Sequence, residues 1–195
     1  MLVYKLKKTH ILFKNIGKWK YEKINNLDIY FAGCKDSVCE FLHKNDFSNR
    51  MIKEKLSRNN NFFSAIIESN DQVICISDFC RSFPIFYYKN KNLFTVSNDA
   101  RTLKKKLKLK EILPQSVNEC FLSGYVSGKN TLYKSLYQTE ACKFLKFNKF
   151  TKKLEINNFF SYHKKIKSNI KKIDALLKLD KVINSSIDRL LKKLI

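Results

Sequence analysis

The chain has 195 residues, 44% of them hydrophobic and 13% aromatic, with a formal net charge of +22. That length holds one domain, or one domain with the start of another, and that apolar content predicts a packed core rather than a disordered chain. The opening run Met1-Leu2-Val3-Tyr4-Lys5-Leu6-Lys7-Lys8 has no long apolar stretch and no small-residue cleavage site, so no signal peptide is expected. No stretch approaches the roughly eighteen apolar residues of a membrane span. The expected compartment is the cytoplasm.

In chain order, short β runs come first. Residues 4–13 and 27–32 carry apolar and β-branched residues at strand length. Weak helical periodicity follows over 36–41 and 50–56. Residues 62–68 and 73–76 flank Ser69-Asn70-Asp71-Gln72, a polar turn-forming set, and read as a hairpin. Residues 84–88 and 93–97 flank Lys89-Asn90-Lys91-Asn92 and read as a second. A clearer helix is expected over 116–122. The third hairpin pairs 144–147 with 153–156 across Asn148-Lys149. Three hairpins in succession predict a largely antiparallel sheet system. Residues 159–171 are polar and basic and read as a linker. Beyond them Ile173, Leu176, Leu177, Leu179, Ile183, Ile187, Leu190 and Leu191 recur at three- and four-residue steps, the pattern of an amphipathic helix over 172–195.

The six cysteines, Cys34, Cys39, Cys75, Cys80, Cys120 and Cys142, form no C-x-x-C pair, and only His10, His43 and His163 could assist them. Zinc sites need ligands paired at short spacing, so no metal site is expected. The cysteines read as small apolar residues of a reducing compartment. The positive charge suggests nucleic acid. Yet only Arg50, Arg58, Arg81, Arg101 and Arg189 of the 39 basic residues are arginine, the residue that phosphate recognition favours. The lysines are spread among many Asn and Ile residues, and only Lys104-Lys105-Lys106-Leu107-Lys108-Leu109-Lys110 is dense. A solvated lysine surface is the expected reading, and nucleic acid is not the expected partner.

Several motifs fall in a known order. Asn61-Phe62-Phe63-Ser64-Ala65 is followed by Ser77-Asp78 and then by Pro84-Ile85-Phe86-Tyr87. Next come Phe94-Thr95-Val96-Ser97-Asn98-Asp99, Gly124-Tyr125-Val126, Thr131-Leu132-Tyr133 and Gln138. This series resembles the back half of the glutamine amidotransferase domain of the asparagine synthase (glutamine-hydrolysing) family, and Ser185-Ser186-Ile187-Asp188-Arg189-Leu190 resembles the first helix of that family's synthetase domain. The resemblance implies an α+β fold, a four-layer N-terminal-nucleophile-hydrolase sandwich of two antiparallel sheets with flanking helices, over residues 1–158. It implies a truncated synthetase-like segment over 172–195.

The departures carry the functional expectation. The family's nucleophile is a cysteine directly after the initiator methionine, with its own α-amine as base; Leu2 stands there. The family's glutamine-holding motifs have no counterpart before Asn61. Asp36 falls where the family has a glutamine-binding aspartate, on the support of one residue, and reads as a surface carboxylate. The family glycine of the turn after Asp78 is replaced by Arg81, and the later Pro-Gly by Glu140-Ala141, residues that adopt left-handed backbone angles less readily. The synthetase's pyrophosphate loop needs clustered glycines, and this chain has four in all, Gly17, Gly33, Gly124 and Gly128. The expectation is therefore a chain without catalytic, cofactor-binding or metal-binding residues of its own. ATP and Mg would belong to a synthetase domain or subunit, which is the expected partner, with a homodimer as another possibility. A stand-alone module that docks a separate synthetase, and a lysine-rich nucleic-acid binder, are the alternative readings.

Overall fold

The computed structural model describes residues 9–14, 17–42, 47–91, 93–161 and 171–191, without the side chains of 41, 42, 189 and 190. Two compact units divide the chain at Ser161. The first is a mixed α+β body of two sheets and helices.

The larger sheet has six strands. They are β2 (Trp19–Ile24), β3 (Leu27–Gly33), β4 (Phe63–Glu68), β5 (Gln72–Ser77), and the pair that the chain returns to later, which in chain order are β9 (Lys143–Asn148) and β10 (Leu154–Asn158). The spatial order is β10-β9-β5-β4-β3-β2, antiparallel throughout. The smaller sheet has four strands in the order β1-β7-β6-β8, namely β1 (Thr9–Leu12), β6 (Phe86–Lys89), β7 (Phe94–Ser97) and β8 (Leu136–Gln138). The three expected hairpins are present as β4–β5, β6–β7 and β9–β10. One expectation needs refining: β1 pairs with β7 in parallel, so the smaller sheet is mixed. A fourth hairpin, β2–β3, turns on Asn25 and Asn26, whose φ angles of 48° and 62° suit the type I′ turn that matches strand twist.

Side-chain alternation along the central strands explains the layering. On β4, Phe63, Ala65 and Ile67 enter a core shared with α1 (Lys35–Leu42) and α2 (Asn49–Arg58) through Val38, Ile52 and Leu56. The intervening Ile66, with Val73 and Cys75 of β5, faces Ile85, Tyr87, Phe94 and Val96 at the smaller sheet. Phe94 stacks on Phe147 of β9 at a centroid distance of 4.3 Å across that interface. Beyond the smaller sheet lies α3 (Ala100–Leu107), which touches β6, β7 and β8 and buries Leu103 completely. The layers are thus helix, sheet, sheet, helix. At Gly33 the chain approaches itself so closely that a Cβ would lie 2.1 Å from the Phe62 carbonyl oxygen, a place only glycine can take.

Phe159 and Phe160, placed in the linker on sequence grounds, pack edge-on against Phe79 at 5.2 and 5.3 Å, and Phe159 N–H donates to the Cys142 carbonyl. The second unit contains α5 (Lys172–Leu191), twenty residues long with Asp174 in its first turn. Residues 192–195 of the expected helix lie outside the described residues. No helix among the described residues is long and apolar enough to cross a membrane.

Candidate functional site: the corner of α3, α4 and β8

The turn after β5 is built on one buried carboxylate. Asp78 is only 2% exposed, and its Oδ2 accepts the Phe63 N–H while its Oδ1 accepts the N–H groups of Cys80 and Ser82, each at 3.0 Å. Its carbonyl accepts from Cys142 N–H at 3.1 Å. Three backbone donors thereby close the turn and tie it to β4. Within it Arg81 is held at φ 55°, in the left-handed region that costs an L-residue roughly 1–2 kcal/mol. Arg81 does take the glycine-like conformation. At the later position Cys142, not Ala141, has the positive φ, at 60°.

A second anchor gathers the loop after α4 (Pro114–Ser123). Gln138, at the end of β8, directs its side-chain Nε2 at the carbonyls of Val126, Gly128 and Asn130, at 3.0, 3.1 and 3.0 Å. Its backbone N–H donates to Lys129 at 2.8 Å. Gly124 ends α4 in the left-handed conformation at φ 79°, its N–H donating to the Cys120 carbonyl. Thr131 Oγ1 donates towards the Leu136 carbonyl at 2.8 Å and accepts the Tyr133 N–H at 3.2 Å.

Together the Asp78 turn, α3, α4 and the Gln138 loop border a cavity of about 660 Å³ that is open to solvent. Arg81, Arg101 and Lys104 bring positive charge to its lining, and Phe86, Tyr125 and Tyr133 bring aromatic surface. Lys104 Nζ sits 5.1 Å from the centre of the Tyr133 ring, a cation–π contact. No carboxylate lines the cavity. Two carboxylates on the bordering elements are engaged elsewhere. Asp99 caps α3 by accepting from Arg101 N–H and Thr102 Oγ1, and Glu119 accepts from Ser127 N–H.

No protein-family model matches the sequence, and no curated protein does. Among solved structures, the glutamine phosphoribosylpyrophosphate (PRPP) amidotransferase of B. subtilis, determined in complex with ADP and GMP, is similar, with a TM-score of 0.39 and 11% sequence identity. The similarity covers 76% of this chain and 32% of that one, so this chain spans about a third of that protein's length.

Of the residues singled out in the sequence, Asp78, Gln138 and the 124–133 segment converge on this corner. Leu2, His43 and His163 lie outside the described residues. Asp36 is exposed in the first turn of α1. All six cysteines are free thiols. Cys75 is completely buried between the sheets, and desolvation pushes its thiol well above the ordinary range, which leaves it unreactive. Among the described residues no three His, Cys, Asp or Glu side chains gather as metal ligands would. Helix α3 is hidden in the sequence because the lysine run masks its start signal. That signal is Asp99 as an N-cap before Ala100, and it places Lys104, Lys105 and Lys106 in the last turn, where cations complement the helix dipole.

Proposed function

We propose that this protein is an asparagine-synthase-like relative whose glutamine amidotransferase domain, of the N-terminal-nucleophile type, no longer hydrolyses glutamine and serves as a cytoplasmic scaffold for an ATP-dependent synthetase domain or subunit. The observation that carries this reading is the placement of the family-like motifs. Asp78 and Gln138, both within motifs matched in the sequence, anchor the two loops at one corner of a helix–sheet–sheet–helix body. Leu2 supplies no nucleophile, and the glutamine-holding motifs are missing, so the scaffold would leave the nitrogen donor to free ammonia or another amine.

A docking role is favoured by α4. Phe121 and Leu122 are 87% and 89% exposed and Tyr125 just beyond them 61%, a short run of large apolar side chains in water that suits a protein contact. The test is ammonia release from glutamine by the purified chain. None above a buffer blank is expected, in the parent and in Leu2→Cys alike, because the glutamine contacts are absent too. Release that thiol alkylation abolishes would overturn the reading.

A further inference from the structure

We propose that the cavity between α3, α4 and β8 binds a small organic anion, an aromatic body bearing one oxyanion, with Arg81, Arg101 and Lys104 on the oxyanion and Phe86, Tyr125 and Tyr133 around the body. This rests on the cavity alone and stands or falls separately from the loss of glutaminase activity.

The volume of about 660 Å³ lies in the range that holds a small-molecule ligand. Its charge is one-sided. Three cations line it without a carboxylate, and among the described residues none of the three has an ion-pair partner. A guanidinium fork recognises a carboxylate or phosphate through two parallel hydrogen bonds, and two of the three cations here are arginine on a lysine-dominated chain.

The neutral polar groups of the lining point the same way. Gln138 has its amide nitrogen engaged by three carbonyls, and Thr131 is held by the loop's own backbone. Both are committed in part to the loop's own structure, and the charged groups of the lining are the three cations. The aromatic rings offer flat surface, and Lys104 already lies over one of them.

Arg81 adds an independent observation. It occupies a left-handed position, φ 55°, that glycine would fill without strain, and the side chain it brings lines the cavity.

The experiment is calorimetric titration of the full chain, at roughly physiological salt so that diffuse lysine charge is screened. Phenyl phosphate and phenylacetate are the probes, with inorganic phosphate, acetate and phenol as their halves. We expect one probe to bind one-to-one, at least tenfold tighter than either of its halves, and which probe it is identifies the oxyanion as phosphate or carboxylate. Arg101→Gln should weaken it at least tenfold. Arg81→Gly should do the same while the unfolding temperature holds or rises, which separates binding from folding. Lys110→Gln removes the same charge outside the cavity lining and should change nothing. The proposal is overturned if neither probe exceeds its halves, if the arginine variants bind as the parent does, or if Lys110→Gln weakens binding as much as Arg101→Gln.

Discussion

Strands β4 and β5 and the corner that begins with α4 place their apolar residues in opposite ways. On β4 the five residues from Phe63 to Ile67 are all buried, because a helix layer covers one face and a second sheet the other. On α4 only Ser116 is buried, while Phe121 and Leu122 stand in water and Tyr125 beyond them is 61% exposed. Burial explains every large side chain of the first region. It explains few of the second, where exposed apolar side chains of α4 and three cations without an ion pair among the described residues, one of them the strained Arg81, share one end of the smaller sheet. Folding accounts for the choice of residues at the centre, and the proposed binding would account for it at the corner.

The comparison is sharpest in stability. Phe63→Ala should destabilise the protein by about 3–5 kcal/mol, the cost of a cavity between sheet and helices, whereas Phe121→Ser should stay within about 0.5 kcal/mol. Urea denaturation of both variants measures the contrast, and equal losses would break it. Asp78→Ala tests the seam between the regions. It would strand three backbone N–H groups, at about 1–3 kcal/mol for a buried donor left unpaired, and proteolysis should then nick the turn around Arg81. Loss of stability without new cleavage would show that the turn keeps its shape by other means. Arg81→Gly should go the other way. Relief of the left-handed strain, roughly 1–2 kcal/mol, exceeds the added freedom of glycine in the unfolded chain, roughly 0.5–1 kcal/mol, so a small rise in unfolding temperature is expected, and a fall would place Arg81 among the structural residues.

The smallest effect concerns pH. Partial burial pushes the Asp99 carboxyl up, but the Thr102 hydroxyl, the Arg101 N–H and Lys14 outweigh it and hold it below its ordinary 3.8. A carboxyl depressed in the folded state stabilises the protein fully above the unfolded value and loses that contribution as pH falls through the folded one. Asp99→Asn keeps a competent helix cap, so its stability should fall less than the parent's between pH 5 and about 3. Parallel curves would show that the capping charge contributes nothing.

The sequence carried the hairpins β4–β5, β6–β7 and β9–β10 because polar turns separate runs with strand composition. It hid β2, since Lys20, Glu22 and Lys23 on that edge strand dilute the apolar signal. It hid α3 behind its lysines. The parallel pairing of β1 with β7 could not be read at all, because nothing local to either strand specifies a partner so distant. The corner was half legible. Asp78 and Gln138 stand out within motifs, but the cavity is assembled from stretches far apart in the sequence, and Arg101 and Lys104, exposed on α3, read as ordinary surface charge until the fold sets them at its rim.

That parallel pairing also sets an order of events as the chain is made. Ser97 Oγ of β7 donates to the Leu12 carbonyl of β1 at 2.5 Å, across 85 positions of sequence. At bacterial and eukaryotic synthesis speeds of roughly 5–20 residues per second, β1 leaves the ribosome some seconds before the strand that will receive it exists. Contacts of such long range are made late and slow the whole reaction. The hairpin β4–β5 is complete in the emerging chain before β7 exists, so the centre of the larger sheet can form before the smaller sheet can gain its edge.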